Sequence, residues 1–298
     1  MRILFVTSSR IGDAVLSTGL LDHLLRRHPD ARFTVATGPV AEGVFLRMPR
    51  LERLILLEKR PYGMHWPGLW ARCVGTAWDL VVDIRASALA WLLPARRRAV
   101  MRRRGGHKTA QLAAVLGLDP PPLPVVWTAP EDRARAAALL PPGTPILALG
   151  PTANWTGKVW PPERFVALAR LLLAGPLAGA RVAVLAGPGE GERALAAPVL
   201  AQFPDAIDLV GMLSLPEAAA ALGRAALFVG NDSGLMHLAA AAGAPTLGLF
   251  GPTPADEYSP AGRRTATAIA RGPRMEDLSV EAALEAAAGL LALDRAAA

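Results

Sequence analysis

The sequence ALFVGNDSGLMHLAAA, residues 226–241, places a short apolar run directly before a polar turn and an alanine-rich segment. An apolar run of this length that ends at glycine predicts a buried parallel strand, and the small residues after the turn predict a helix. Short strand patterns alternate with longer Ala- and Leu-rich helical patterns over the rest of the chain, which is typical of βαβ units. The sequence therefore predicts an α/β protein with parallel sheets.

The same patterns predict two groups of elements. Strands are expected near 2–7, 32–36, 53–57 and 79–84, and then near 146–150, 181–186, 207–210, 226–230 and 245–250. Helices are expected near 13–27, 40–48, 162–174, 190–203, 215–223 and 234–242, with a last helix from about 279 to 293 that begins at Ser279.

Prolines cluster between the two groups, and proline clusters continue neither a helix nor a central strand, so a linker is predicted within 119–145. A chain of 298 residues accommodates two α/β units of ~150 residues. We predict a first domain over 1–140, a second over 141–278, and a C-terminal helix over 279–298 that could pack back on the first domain. Two doubly wound domains are expected to bind ligands in a cleft, at the carboxyl ends of their strands.

Composition excludes several classes of protein. Apolar residues make up 52% of the chain, which excludes disorder, and Cys73 is the sole cysteine, which excludes an internal disulfide. We interpret Cys73 as a buried, inert thiol. No apolar run reaches the ~18–20 residues of a membrane span, and the start does not resemble a signal peptide, so we expect a cytoplasmic, unprocessed protein.

Charge is distributed unevenly along the chain. Residues 1–144 hold 21 Lys and Arg against 11 Asp and Glu, whereas residues 145–298 hold 11 against 14. A basic half predicts an anionic partner, which could be nucleic acid, an anionic lipid surface or an acidic glycan.

The turn after the strand at 226–230 is the strongest candidate site. Backbone N–H groups at Ser233 and Gly234, with the dipole of the following helix, predict an anion site, and His237 lies one turn further on. Asp232 would repel a phosphate, so we expect it to point elsewhere. The alternative is an ordinary helix cap with a packed imidazole.

Two further loops follow strands. Lys158 lies between the strand at 146–150 and a proline-led helix, where its ammonium could contact a diphosphate; the alternative is a solvated surface lysine. The first strand leads into Ser9, Arg10 and Asp13, and Asp13 could accept a proton from an acceptor hydroxyl or simply cap the helix.

The stretch GPGEGER, residues 187–193, has Glu192 where a strict dinucleotide fingerprint has glycine, so Glu192 is better suited to ribose hydroxyls. The sequence contains no Walker motif, no metal-ligand histidine pair and no Asp-x-Asp motif, and we predict no metal site.

A basic run covers Arg96–Lys108 and follows Trp91. It could be a solvated surface, could bind phosphates or carboxylates of an acceptor, or could lie against anionic lipid with Trp91 as an anchor. Nucleic acid is not expected, because aromatic residues are not interleaved for base stacking.

Four segments together resemble one known family. The segments are IGDAVLST at 11–18, KVWP at 158–161, GNDSGLMHLAAA at 230–241 continuing to LFGPT at 249–253, and MEDLSV at 275–280. In this order they resemble the ADP-heptose:lipopolysaccharide heptosyltransferases, glycosyltransferase family 9.

The resemblance implies a GT-B fold with two Rossmann-like domains, inverting chemistry without a metal, and no cofactor beyond a nucleotide-sugar donor, ADP-heptose. It implies Asp13 as the catalytic base and Lys158 as a catalytic lysine at the donor phosphates. The implied donor-binding residues are Thr152, Lys158, Glu192, Leu213, Asp232, Ser233, Gly234 and His237. The implied acceptor-binding residues are Ser9, Arg10, Arg60, Arg98, His107 and Lys108.

The resemblance also implies an anionic glycan or lipid-linked acceptor. The basic run adds the alternative of peripheral contact with the cytoplasmic face of the inner membrane. Two alternatives stay open from the residues: a nucleotide-sugar epimerase or hydrolase on a similar fold, and a non-catalytic nucleotide-sugar-binding protein.

Overall fold

The structure is a computed structural model that describes residues 1–102 and 104–297, with the backbone alone over 293–297. The chain forms two compact units, Met1–Trp127 and Thr128–Ala298. Each unit has a parallel sheet and a hydrophobic core of its own, which confirms the predicted α/β class with two parallel sheets.

The first unit alternates strands and helices. Its elements are, in order, β1 Arg2–Val6, α1 Ile11–Arg27, β2 Arg32–Thr37, α2 Glu42–Phe45, β3 Leu51–Leu56, α3 His65–Cys73, β4 Trp78–Asp83, α4 Leu89–Leu92, β5 Ala95–Val100 and α5 Lys108–Ala113, with 3₁₀ turns at Pro39–Ala41 and Pro61–Gly63.

The five strands of the first unit form a parallel sheet in the order β3-β2-β1-β4-β5. The centre of this sheet is fully buried, and the residues of β1 from Ile3 to Val6 are all apolar. Cys73 packs in the core with Trp78, as predicted, and burial raises the pKa of its thiol to about 11. The thiol is therefore protonated and inert at neutral pH.

Asp83 closes β4 at the carboxyl edge of this sheet and is fully buried. Its carboxylate accepts hydrogen bonds from the backbone N–H groups of Arg85, at 2.8 Å, and Ser87, at 3.0 Å, and from the Ser87 hydroxyl. Burial raises the pKa of Asp83, and these hydrogen bonds oppose the shift. Its role is to shape the turn after β4.

The second unit follows the same alternation. Its elements are, in order, α6 Pro130–Leu139, β6 Ile146–Gly150, α7 Pro162–Ala174, β7 Arg181–Val184, α8 Glu190–Leu200, β8 Ile207–Asp208, α9 Leu215–Leu222, β9 Leu227–Asn231, α10 Gly234–Ala241, β10 Thr246–Phe250, α11 Ala255–Tyr258, β11 Thr265–Ile269 and α12 Val280–Ala297, with 3₁₀ turns at Thr156–Lys158 and Met275–Asp277.

The second sheet is also parallel, in the order β11-β10-β9-β6-β7-β8. Helices α6 and α12 form the two ends of this unit. Helix α6, inside the predicted linker, packs against α9, so the second compact unit includes α6. Helix α12 begins after Ser279, whose Oγ accepts the Ala282 N–H at 3.2 Å, and packs against α7, β10 and β11 of the same unit.

Within the described residues, none of the helices combines the length and the apolar composition needed to cross a bilayer.

Candidate active site

Strands β6 and β9 lie side by side in the second sheet, with Gly150 opposite Gly230 at their carboxyl ends. Because both strands run in the same direction, the loops that follow them leave from one edge of the sheet. One loop carries Thr152 and Lys158, and the other carries Asp232 and Ser233. The fold thus brings together two segments that are more than 70 residues apart in sequence.

Asn231, the last residue of β9, joins the two loops. Its side chain is fully buried; Nδ2 donates to the Thr152 carbonyl at 3.4 Å, and Oδ1 accepts the Trp160 N–H at 3.0 Å. A buried backbone N–H without a hydrogen-bond partner costs free energy. The Asn231 side-chain amide avoids this cost by accepting the Trp160 N–H. Asn231 therefore holds both ends of the 152–160 loop against β9.

Trp160 anchors the far end of the same loop. Its ring is fully buried, meets Phe165 edge to face at 5.2 Å between centroids, and donates its indole N–H to the Leu278 carbonyl at 3.0 Å. Lys158 lies two residues before Trp160. Its position is consequently fixed by the packing of Trp160 and by the hydrogen bonds of Asn231 to Trp160 and Thr152.

Lys158 and Asp232 form an ion pair between the two loops. Lys158 Nζ lies 2.6 Å from Asp232 Oδ2, and the side chains are 20% and 7% exposed. His237 is buried on the first turn of α10, and its Nε2 lies 3.9 Å from Asp232 Oδ1. Lys158 is thus not a solvated surface lysine, and the Asp232 carboxylate points to its ammonium.

Helix α10 begins beside this pair. Ser233 has extended backbone geometry and Gly234 is the first helical residue, so N–H groups of the first turn lack helical partners. Within the described structure, Ser233 Oγ is buried without a hydrogen-bond partner, and so is Thr253 Oγ1 in the loop after the adjacent β10. A cation, helix N–H groups and a spare hydroxyl lie together, which is a suitable combination for an anion.

Glu192 and Leu213 follow the neighbouring strands β7 and β8. Glu192 lies in the first turn of α8, where its carboxylate is favoured by the helix dipole, and its Oε2 accepts the Gly187 N–H at 3.2 Å. Leu213 is half-buried and immediately precedes Ser214, which forms a capping box with Glu217 at the start of α9. Both lie in loops after strands of the same sheet as Lys158.

In the first unit, Asp13 lies in the first turn of α1. Ser8 Oγ donates to Asp13 Oδ2 at 3.3 Å and accepts the Arg10 N–H at 3.3 Å. The N-cap of this helix is Arg10, whose side chain makes no capping hydrogen bond, and Asp13 is the third helical residue, so Asp13 is not the N-cap. The loop is tightly packed, since a Cβ on Gly38 would lie 2.3 Å from the Cβ of Ser9.

The remaining predicted acceptor residues lie elsewhere in the first unit. Arg60 is exposed, and Lys108 is half-buried at the start of α5, which His107 caps by accepting the Thr109 N–H. Arg98 differs, because its guanidinium donates to the carbonyls of Ala90, Leu93 and Ala95 at 2.7–3.0 Å. Arg103, within the predicted basic run, lies outside the described residues.

Sequence reasoning assigned no role to several residues that shape these loops, which are Ser8, Asn231, Trp160 and Thr253. Asn231 stands inside the GNDSG motif at 230–234, and that position was the available signal. Thr253 ends the LFGPT segment at 249–253, in the loop after β10, and that segment was its signal. Among the described residues, no cluster of three His, Cys, Asp or Glu side chains is placed to hold a metal.

Comparison with known proteins gives consistent matches. A family model described as glycosyltransferase family 9 (heptosyltransferase) matches residues 85–287. Lipopolysaccharide heptosyltransferase 3 of Escherichia coli is 33% identical over 113 residues, which cover 37% of this chain and 32% of that protein. Lipooligosaccharide heptosyltransferase 2 of Haemophilus influenzae is 25% identical over 305 residues, which cover 87% of this chain and 86% of that protein.

Solved structures support the fold. The glycosyl transferase family 9 protein from Veillonella parvula DSM 2008 has a TM-score of 0.83 at 21% identity, covering 98% of this chain and 97% of that one. The E. coli heptosyltransferase WaaC with ADP has a TM-score of 0.76 at 19% identity, covering 97% and 100%. This likeness confirms the predicted GT-B fold.

Proposed function

Because the chain belongs to glycosyltransferase family 9, the heptosyltransferase family, and is therefore a glycosyltransferase, we propose that it transfers heptose from a nucleoside-diphosphate donor to an anionic glycan of the lipopolysaccharide core. The observation that carries the donor half is the Lys158–Asp232 pair beside Ser233 at the start of α10. An ammonium and first-turn N–H groups are the partners that a diphosphate requires.

ADP-heptose is the proposed donor, supported by the similar fold that was solved with ADP. In this proposal the diphosphate contacts Lys158, Ser233, Gly234 and His237. Thr152 lines the phosphate side, Glu192 accepts from ribose hydroxyls, and Leu213 packs beside the adenine.

Donor binding is proposed to exchange the partner of Lys158. Asp232 orients the Lys158 ammonium in the structure. The donor phosphates then either bind this ammonium together with the Asp232 carboxylate or displace the carboxylate from it. When the bond from the anomeric carbon to the diphosphate breaks, negative charge grows on the leaving oxygen, next to Lys158 and the α10 N-terminus. Fixed positive charge aimed at such a developing charge is the main source of rate in this kind of site, and it needs no metal.

Asp13 is the proposed base. The acceptor hydroxyl oxygen attacks the anomeric carbon, its proton passes to an Asp13 oxygen, and the nucleoside diphosphate leaves from the opposite face, which inverts the anomeric configuration. Ser8 positions the carboxylate by donating to Oδ2.

The acceptor is proposed to contact Ser9, Arg10, Arg60, His107 and Lys108, at the cytoplasmic face of the inner membrane. The net charge of +10 over residues 1–144 supports an anionic acceptor. Arg98 donates its hydrogen bonds to backbone carbonyls, so we propose that it stabilises the backbone next to the basic run Arg96–Lys108.

The test is product analysis with ADP-heptose, with and without a soluble lipopolysaccharide-core oligosaccharide. We expect a new glycoside and ADP only when both substrates are present, and no turnover above background for Asp13→Asn. Release of free heptose without acceptor would indicate a hydrolase, and conversion of the donor to its epimer would indicate an epimerase. Donor binding with no product would indicate a binding protein. Each of these three results would contradict the proposal.

A further inference from the structure

The first unit exposes a compact group of large apolar side chains. Trp91 is 67% exposed and Leu92 64% exposed on α4, and Trp70 of α3 is 41% exposed. The Trp70 indole N–H donates to the Leu92 carbonyl at 3.1 Å, so α3 and α4 are joined at this point. Three adjacent exposed side chains of this size are unusual on a water-facing surface and indicate a contact region.

All the charged residues in the segment that contains α4 and β5 are basic. Between Asp83 and Asp119 there are seven arginines and Lys108, and there is no Asp or Glu. Within the described residues, Arg96 pairs with Asp79 at 3.5 Å, and Arg98 serves three carbonyls. Arg102 and Arg104 are exposed and form no ion pair with a carboxylate in the described part of the chain.

The apolar and basic groups share one surface. Trp91, Arg98, Arg102, Arg104 and Gln111 line a hollow of about 330 Å³ at the carboxyl end of β5 and along α5. The Trp91 ring and the guanidinium groups of Arg102 and Arg104 thus line the same small hollow. A soluble anion could satisfy the arginines, but it would leave Trp91 and Leu92 in water.

We propose that this tryptophan–arginine face, made of Trp70, Trp91, Leu92, Arg102 and Arg104, docks the protein on a bilayer that contains anionic phospholipid. Tryptophan is favoured at the depth of the headgroups, and guanidinium groups bind lipid phosphates. Stable peripheral binding needs two signals, an apolar anchor and a basic patch, and this face has both. The proposal deepens the membrane contact in the proposed function and assigns it to named residues.

The test is flotation of the whole protein with vesicles of phosphatidylcholine, alone or with about one quarter phosphatidylglycerol. We expect binding to the anionic vesicles and little to the neutral ones. Each basic residue near an anionic surface contributes roughly fivefold in affinity, so Arg102→Gln/Arg104→Gln should bind about 25-fold more weakly. Brominated lipid should quench part of the tryptophan fluorescence, and Trp91→Ala should reduce that quenching, with Trp70 accounting for the remainder.

Matched controls lie on the second unit, where Arg224, Arg263 and Trp155 are exposed. Arg224→Gln/Arg263→Gln should bind as the unchanged protein does, and Trp155→Ala should leave the quenching intact. Equal binding to neutral vesicles, unchanged binding of the Arg102/Arg104 variant, or an equal loss in the control variant would overturn the proposal. No donor or acceptor is present, so a failure here is separate from a failure of heptose transfer.

Discussion

Lys158 is held by Asp232 in a place where neither side chain is well solvated. Removing one partner of such a pair leaves the other as an uncompensated, mostly buried charge, which is costly. The carboxylate therefore has two effects on a diphosphate: it orients the ammonium, and it competes for it. A residue with this double effect cannot be recognised from sequence, where Asp232 appears only as a negative charge in an anion-binding turn.

Lys158→Ala should lower kcat for sugar transfer by about 10²–10³, because the variant loses charge stabilisation of the leaving diphosphate. Steady-state kinetics with ADP-heptose measures the effect. Arg170→Ala, which removes an exposed cation from α7, is the matched control and should retain full activity. An unchanged kcat for Lys158→Ala would remove the lysine from the mechanism.

Asp83 and Asp79 lie at opposite ends of β4, and their pKa values shift in opposite directions. Burial raises the pKa of Asp83, whereas the hydrogen bond from the Arg2 N–H lowers that of Asp79. The stability that Asp83 contributes is complete below its ordinary pKa of 3.8 and is lost as the pH rises through its raised pKa. The contribution of Asp79 is present above 3.8 and is lost as the pH falls through its lowered pKa.

Urea unfolding between about pH 4 and pH 8 should therefore show the stability of the unchanged protein falling, relative to Asp83→Asn, as the pH rises. Relative to Asp79→Asn it should stay nearly level above about pH 4 and fall as the pH is lowered further. Parallel pH curves for the unchanged protein and Asp83→Asn would show that the buried carboxyl has its ordinary pKa.

At the scale of elements, the predicted strands are confirmed because their apolar runs match their burial, as in β1 and β9. Strand β5 was missed because its sequence, ARRRAV, has three successive arginines, and only the sheet reveals that they continue the pairing of β4. Helix α6 was missed because prolines flank it, although Pro130 lies at a first-turn position that proline favours.

The site shows the same division between local and non-local information. The turn at Ser233 and Gly234 could be predicted, since it depends on adjacent residues. The tie from Asn231 to the Trp160 N–H could not, because it depends on β6 and β9 being neighbours in the sheet.

Asn231→Ala should destabilise the second unit by about 1–3 kcal/mol, because the Trp160 N–H loses its buried partner. Urea unfolding measures the loss, and Asn154→Ala, an exposed asparagine in the same loop, is the matched control with an expected change within about 0.5 kcal/mol. Donor affinity should also fall, since the loop that carries Lys158 is no longer held. Equal stability of the two variants would show that the tie is dispensable.

At the scale of the whole molecule, the two units divide the proposed roles, with the basic charge concentrated in the first and the donor loops in the second. We predict that ADP slows hydrogen exchange at 156–158 and 230–237 and leaves exchange in the core of the first sheet unchanged. At about 100 times its dissociation constant, ADP should add about 2.7 kcal/mol of stability.

Hydrogen exchange followed by mass spectrometry checks the pattern, and Lys158→Ala should reduce the protection at a given ADP concentration. Protection confined to the first unit would place the nucleotide in the wrong half of the chain and contradict the proposed donor site.

Strands β3 and β5 form the two edges of the first sheet, and both carry exposed charges there, Glu52 and Arg53 on one and Arg96 and Arg97 on the other. An open edge can recruit a strand from another molecule, and charged side chains prevent such recruitment. The arginines of β5 thus also protect the protein against self-association into intermolecular sheets. Replacing them with valine to improve the β-strand pattern would be expected to produce aggregates.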